Sequence, residues 1–191
     1  CEHVTSSLVR ERTDGVREAC ASAGLDCATV PRGRRLADLR VLALDMDSTL
    51  ITIECIDEIA DYAGVRGQVS AVTASAMRGE IDFRESLVRR VALLAGVRAD
   101  ALESVYLERL ELSPGATTLL AGAREAGAKT LLASGGFTHF TERLRERLGF
   151  DLAVANGLEI HDGRLTGRVL GDVVAARGKA DAVAVMRRLH A

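Results

Sequence analysis

Short apolar runs closed by glycine or polar residues alternate along the chain with stretches in which leucine, valine and alanine recur at helical spacing among charges. The run VLALD from Val41 is continuous, the pattern of a strand buried on both faces, and KTLLA from Lys129 and LAVAN from Leu152 repeat it. Helical periodicity covers residues 5–23 and most of 56–110. It returns in PGATTLLAGAREAG, with proline at its start and glycine as its stop, in FTHFTERLRERLGF, and in GKADAVAVMRRLHA. Between the first helix and Val41, DCATVPRGRR breaks the period with an apolar patch, a proline and a glycine, predicting a short strand and a linker. LEIHDGRLTGRVL alternates around Asp162-Gly163, a hairpin signal.

Strands alternating with helices predict an α/β fold: a Rossmann-like, three-layer parallel sheet with helices on both faces. In such sheets ligands sit beyond the C-terminal strand ends. Asp45 and Asp47 fall there on the first strand, and Ser134, Gly135 and Gly136 on the second. The helical stretch between them is longer than a crossover needs and reads as a cap inserted after the first strand, over the same rim. The expected division is a core of 40–53 and 111–191, a helical cap of 54–110, and an N-terminal segment or linker of 1–39 too short to hold a core.

With 191 residues, 48% apolar composition and net charge -2, the chain is long enough for a sizeable core. Basic residues are dispersed and aromatics make up 3%, too few for base stacking, which argues against a nucleic-acid partner. No apolar run reaches membrane-spanning length and the first residues carry no secretory segment, so a cytoplasmic location is the simplest expectation. Cys1, Cys20, Cys27 and Cys55 form no C-x-x-C pair and read as reduced thiols.

Two carboxylates one residue apart can divide nucleophilic and acid-base work when their environments differ, although a D-x-D alone also serves as a strand end or helix cap. Ser48 and Thr49 add hydroxyls beside them, and SGGF offers a hydroxyl and glycine N–H groups ahead of a helix, an arrangement suited to phosphate or to a plain turn. Lys179, after Gly178, either adds a positive charge to this rim or simply faces solvent. On the helix beginning near Phe83, positions 83, 87, 90 and 94 read Phe, Leu, Arg, Leu. Arg90 there either snorkels to the surface or meets an anion under the cap. Glu54 is its natural opposite charge. A carboxylate and a guanidinium above a phosphate site suit a phosphorylated amino acid.

These segments together resemble the phosphoserine phosphatases of the haloacid dehalogenase superfamily, in their bacterial form. LDMDSTLITIECIDEIA is similar to the first motif and cap entrance, AMRGEIDFRESLVRRVALL to the helical cap, ASGGF to the second motif, and ANGLEIHDGRLTG with GKADAV to the hairpin and third motif. The resemblance implies Asp45 as nucleophile and Asp47 as general acid and then base. It implies Mg2+ on the Asp45 carboxylate and the Asp47 backbone carbonyl. Ser134, Gly135 and Lys179 would hold the phosphoryl group, Glu54 the substrate ammonium and Arg90 its carboxylate, with Met77 and Phe83 closing the apolar side. The implied partner is the small molecule phosphoserine, with no nucleic acid and no membrane; a homodimer stays open.

The family's fourth motif, G-D-G-x-N-D, has no counterpart in this sequence; Gly171-Asp172 is not followed by the pattern. The chain is accordingly expected to be incomplete, to leave the first strand at a sheet edge, and to leave magnesium short of ligands. Alternative expectations are a phosphotransferase acting on another alcohol such as homoserine, and a silent binding or assembly module. A receiver-like phosphate switch is a further one, disfavoured by Asp47 and by the cap.

Overall fold

The computed structural model describes residues 14–25, 27–28, 33 and 35–189. The chain divides into two compact units, Cys1–Arg35 and Leu36–Ala191. In the first, residues 14–22 are helical (α1), in keeping with the period, and the remainder of the helix expected from residue 5 lies outside the described residues. Most of the strand and linker expected in DCATVPRGRR lies outside them too, and Cys27 and Ala28 are not in a strand.

The second unit is an α/β sheet structure of order β1-β2-β3-β4. β1 (Val41–Leu44) and β2 (Lys129–Phe137) pair in parallel, with Leu44 opposite Leu132, and β3 (Leu152–His161) lies parallel to β2. β4 (Arg164–Leu170) returns antiparallel to β3. The turn between them holds Asp162 at φ 47° and Gly163 at φ 70°, the two left-handed residues a tight two-residue hairpin requires. Leu132 of β2 joins the main core with Leu120 of α6 (Ala116–Glu125) and Phe140 and Leu144 of α7 (Thr138–Leu148). Leu131 and Ala133 point the other way, against Met186 of α8 (Ala176–Leu189). Alternation along one strand thus builds the two helical layers.

Several expected boundaries shift. β1 stands at the edge of the described sheet, as the missing fourth motif leads one to expect, but it is half-buried with Ala43 exposed and not buried on both faces. The strand read as KTLLA runs on through Ser134, Gly135 and Gly136 to Phe137. LAVAN and the first hairpin arm are one strand, because Gly157 stays extended beside Leu170; an added Cβ would lie 3.0 Å from the Leu170 Cβ. The helix after Pro114 starts at Ala116, capped by Gly115 at φ 84°.

Residues 54–110 form four helices, α2 (Cys55–Tyr62), α3 (Arg66–Met77), α4 (Phe83–Ala92) and α5 (Asp100–Glu108). Asp82 caps α4 by accepting a hydrogen bond from the Glu85 N–H at 2.8 Å, the cap expected of an Asp-x-x-Glu start. Arg109 joins Glu58 and Asp61 at 2.5 and 2.7 Å, tying the second half of α2 to the end of α5. The core of this bundle, including Ile59, Leu87, Leu94 and Leu102, is continuous with that of the sheet. No helix among the described residues is long and apolar enough to cross a membrane.

Among the described residues, the bundle is held to the sheet in part by two sets of backbone hydrogen bonds. Its entry and exit chains pair with each other, the Thr52 N–H donating to Glu111 O and the Ser113 N–H to Leu50 O, each at 3.0 Å. The α4–α5 connection is stitched to the hairpin: Gly96 N–H to Leu165 O, Leu165 N–H to Val97 O and Ala99 N–H to Gly163 O, each at 2.8 Å. Gly167 makes this seam possible. It sits at φ 83°, and a Cβ there would lie 3.0 Å from the Ala95 Cβ and 3.2 Å from Ala92 O. Gly167→Val combines left-handed strain in a β-branched residue with a clash against backbone, and is expected to cost about 2–4 kcal/mol, read as a lower urea midpoint at unchanged m-value.

Candidate active site

The chain leaves β1 at Asp45 in extended conformation and turns sharply over Met46–Leu50. The Ile51 N–H closes the turn on Met46 O and the Ser48 N–H on Ile53 O, both at 3.1 Å. This geometry separates the two aspartates. Asp45 accepts from its neighbour Met46 N–H at 2.8 Å through Oδ1, and from Lys179 Nζ at 2.6 Å through Oδ2. Asp47 points into the protein, accepting from the Cys55 N–H at the start of α2 at 2.9 Å and from the Ser134 hydroxyl at 3.4 Å. Burial pushes the Asp47 carboxyl above its ordinary range and the Asp45 charge adds to that, while the Cys55 N–H and Ser134 hydroxyl pull it back.

A cavity of about 160 Å³ opens between sheet and bundle. Asp45, Asp47, Gly135 and Gly136 line it from the sheet, Glu54, Phe83 and Arg90 from the bundle, with Ile56, Leu87 and Phe137 as apolar wall. The two glycines are set by close approach: a Cβ on Gly136 would lie 2.5 Å from Asp47 Oδ2, and one on Gly135 would lie 2.7 Å from the Phe83 ring. Desolvation pulls the Arg90 guanidinium below its ordinary range, opposed by the fields of Asp57, Glu54 and Asp47. The hydrogen bond it donates is to Ser86 O of its own helix at 3.3 Å, and no carboxylate among the described residues closes an ion pair with it. Burial also raises the Glu54 carboxyl, countered by the Ser48 hydroxyl.

Of the residues singled out from the sequence, Asp45, Asp47, Glu54, Phe83, Arg90 and Gly135 therefore converge, and Lys179 joins them through Asp45. Ser134 stands behind the rim. It is fully buried and not among the lining residues, and its hydroxyl accepts from the Gly136 N–H at 2.8 Å and donates to Asp47 at 3.4 Å, two groups that do line the cavity. Met77 is outside the site: at the end of α3 it is 84% exposed, because the helix turns only Val69 into the core.

Among the described residues no group of three or more His, Cys, Asp or Glu is placed to hold a metal ion by itself. The donors at the rim are oxygens, with the Asp45 side chain 47% exposed. Such a set suits Mg2+, which is commonly held by one or two carboxylates with water and substrate phosphate completing its shell.

The sequence profile of the haloacid dehalogenase-like hydrolases matches residues 42–191. The chain belongs to the haloacid dehalogenase-like hydrolases. Within this family it is 55% identical over 137 residues to the phosphoserine phosphatase of Polaromonas sp. (strain JS666), covering 71% of this chain and 58% of that protein. It is 45% identical over 180 residues to the phosphoserine phosphatase of Archaeoglobus fulgidus, covering 94% and 51%. A substrate-bound phosphoserine phosphatase structure superposes with TM-score 0.73 at 34% identity, covering 79% of this chain and 71% of that one. The chain thus spans little more than half the length of these two relatives.

Two residues of this haloacid dehalogenase-like site escaped the sequence reading. Asn156, 1% exposed on β3, donates to Gly135 O at 2.8 Å and accepts from the Val174 N–H at 2.7 Å, coupling the glycine rim to the chain that leads into α8 and Lys179. Its signal was a polar residue closing the run LAVAN. Asp57, one turn after Glu54, supplies the largest of the fields that hold charge on Arg90.

Proposed function

We propose that the protein hydrolyses O-phospho-L-serine to L-serine and phosphate through an aspartyl-phosphate on Asp45, the last step of serine synthesis, in the cytoplasm. The observation that carries this reading is one cavity in which Asp45 and Asp47 meet a carboxylate, Glu54, and a desolvated arginine that has no ion-pair partner among the described residues. Relatives 45% and 55% identical are phosphoserine phosphatases, which supports it. Residues 54–110 are read as the cap, 40–53 and 111–191 as the core, and 1–39 as an N-terminal segment.

Arg90 takes the substrate carboxylate and Glu54 its ammonium, with Phe83 against the apolar side, so that binding both ends aligns the phosphate with Asp45. An Asp45 oxygen attacks phosphorus, the P–O bond to serine breaks, and the serine oxygen takes its proton from Asp47. Asp47 then removes a proton from water, which attacks phosphorus and releases Asp45 and inorganic phosphate. Burial suits Asp47 to this exchange because it raises the fraction that carries a proton. Gly135 and Lys179 hold the phosphoryl oxygens, and Ser134 fixes Asp47 from behind. The Asp45 carboxylate and the Asp47 backbone carbonyl would hold Mg2+, which would supply positive charge against the crowded anions.

Phosphate release from phosphoserine in the presence of Mg2+, compared with release from an aryl phosphate, tests the reading. Arg90→Ala is expected to lower kcat/KM for phosphoserine about 100-fold, and that for the aryl phosphate less than about fivefold, since only the former has a carboxylate to lose. Equal losses on the two substrates would remove Arg90 from the substrate site. Transfer of the phosphoryl group to added homoserine in preference to water would replace hydrolysis with phosphotransfer.

A further inference from the structure

Ser48 stands apart in the turn between the aspartates and the bundle. Among the described residues it and Asp162 are the non-glycine residues with positive φ. Asp162 occupies a hairpin turn where aspartate is ordinary; Ser48, at φ 51° and ψ 18°, holds a conformation that serine seldom adopts. Glycine would hold the same turn, including the Ser48 N–H bond to Ile53 O, at less conformational cost. What glycine cannot supply is the hydroxyl, which donates to Glu54 Oε1 at 2.7 Å.

Glu54 needs that hold. It occupies the N-cap position of α2 but makes no capping bond to its own helix, so its long side chain is not fixed from that end. It lines the cavity across from Arg90. Anchoring Oε1 on Ser48 removes freedom that binding would otherwise have to remove, and leaves Oε2 as the acceptor for a ligand cation.

We propose that Ser48 is a positioning residue for substrate selection: its hydroxyl, presented by the left-handed backbone at 48, orients the Glu54 carboxylate to receive the ammonium group of the substrate. This rests on the phosphoserine reading above. It assigns Ser48 no contact with the reacting phosphate.

The test uses the protein as the cell makes it, with Mg2+, and two esters that differ only at the ammonium: O-phosphoserine and the phosphate ester of 3-hydroxypropanoate. The wild type prefers phosphoserine. Ser48→Gly is expected to shrink that preference about fivefold to tenfold, with KM for phosphoserine rising more than kcat falls. Ser48→Asn tolerates the left-handed backbone and keeps an N–H donor, and is expected to recover part of the preference that glycine loses. A role confined to the turn predicts the reverse order, with glycine equal to or better than wild type on both esters and asparagine no improvement. A wild-type preference that survives intact in Ser48→Gly would overturn the assignment while leaving the phosphoserine reading in place. A wild type that treats both esters alike would overturn the reading itself.

Discussion

Asp45→Asn is expected to abolish phosphate release from phosphoserine, by at least about 10⁴-fold in kcat, because it removes the proposed nucleophile and not a supporting contact. The neutral amide can still accept the Met46 N–H that meets Asp45 Oδ1 at 2.8 Å, so the turn after β1 is retained. The lost partner is Lys179 at 2.6 Å, in an ion pair with side chains 28% and 47% exposed, which is worth about 0–1 kcal/mol in water. The variant should therefore fold like the wild type, and circular dichroism with urea unfolding separates loss of chemistry from loss of structure. A second readout is the covalent intermediate: wild type quenched during turnover should carry a hydroxylamine-sensitive phosphate, and Asp45→Asn none. Retention of more than a tenth of wild-type kcat would assign the attack to another group.

The parts of this site that the sequence displays are those whose signal is local. The apolar run ending in Asp45-x-Asp47 marks a strand tip without reference to any other segment, and the charge of Arg90 within the stripe of Phe83, Leu87 and Leu94 marks a helix face that meets something polar. Asp162-Gly163 identifies its own turn by the left-handed conformations it permits. Ser134 and Met77 show where local signal ends. Whether the residue before two glycines faces ligand or core depends on the pleat of β2 and on the register change between Ala133 and Phe137. In α3, RGQVSAVTASAM is small and polar on every side with Val69 as its buried residue, so its periodicity does not say which way Met77 points.

Asn156 and Gly157 illustrate the same limit in the sheet. Read in sequence, a polar residue and a glycine after an apolar run end a strand. In space, Asn156 satisfies the glycine rim and Gly157 lets β4 approach, so both are interior positions of one long strand. The half-exposure of β1 likewise follows from its edge position in the pairing order, which its four apolar residues do not encode and which only the absent fourth motif signalled.

Asp47→Asn should affect activity and stability in opposite directions. The amide preserves shape and can still accept the Cys55 N–H that meets Oδ1 at 2.9 Å, but it can neither give a proton to the departing serine nor take one from water. The expected loss in kcat is about 10²–10⁴-fold, with KM for phosphoserine changed far less. For stability, burial raises the carboxyl's pKa in the folded protein above its unfolded value. The folded state then binds the proton more tightly than the unfolded state, so the ionised form opposes folding. That penalty is absent below the unfolded value, grows as pH rises from there through the folded value, and persists at neutral pH. Asp47→Asn removes it. With a chelator present to keep both proteins metal-free, the variant is expected to melt higher than wild type at pH 7, the difference closing as the pH approaches 3. A variant less stable than wild type at pH 7 would mean that the Cys55 and Ser134 hydrogen bonds to the carboxylate outweigh its desolvation. Asp47 would then be a structural anion whose charge the turn needs, and the acid in the mechanism would have to be sought elsewhere in the cavity.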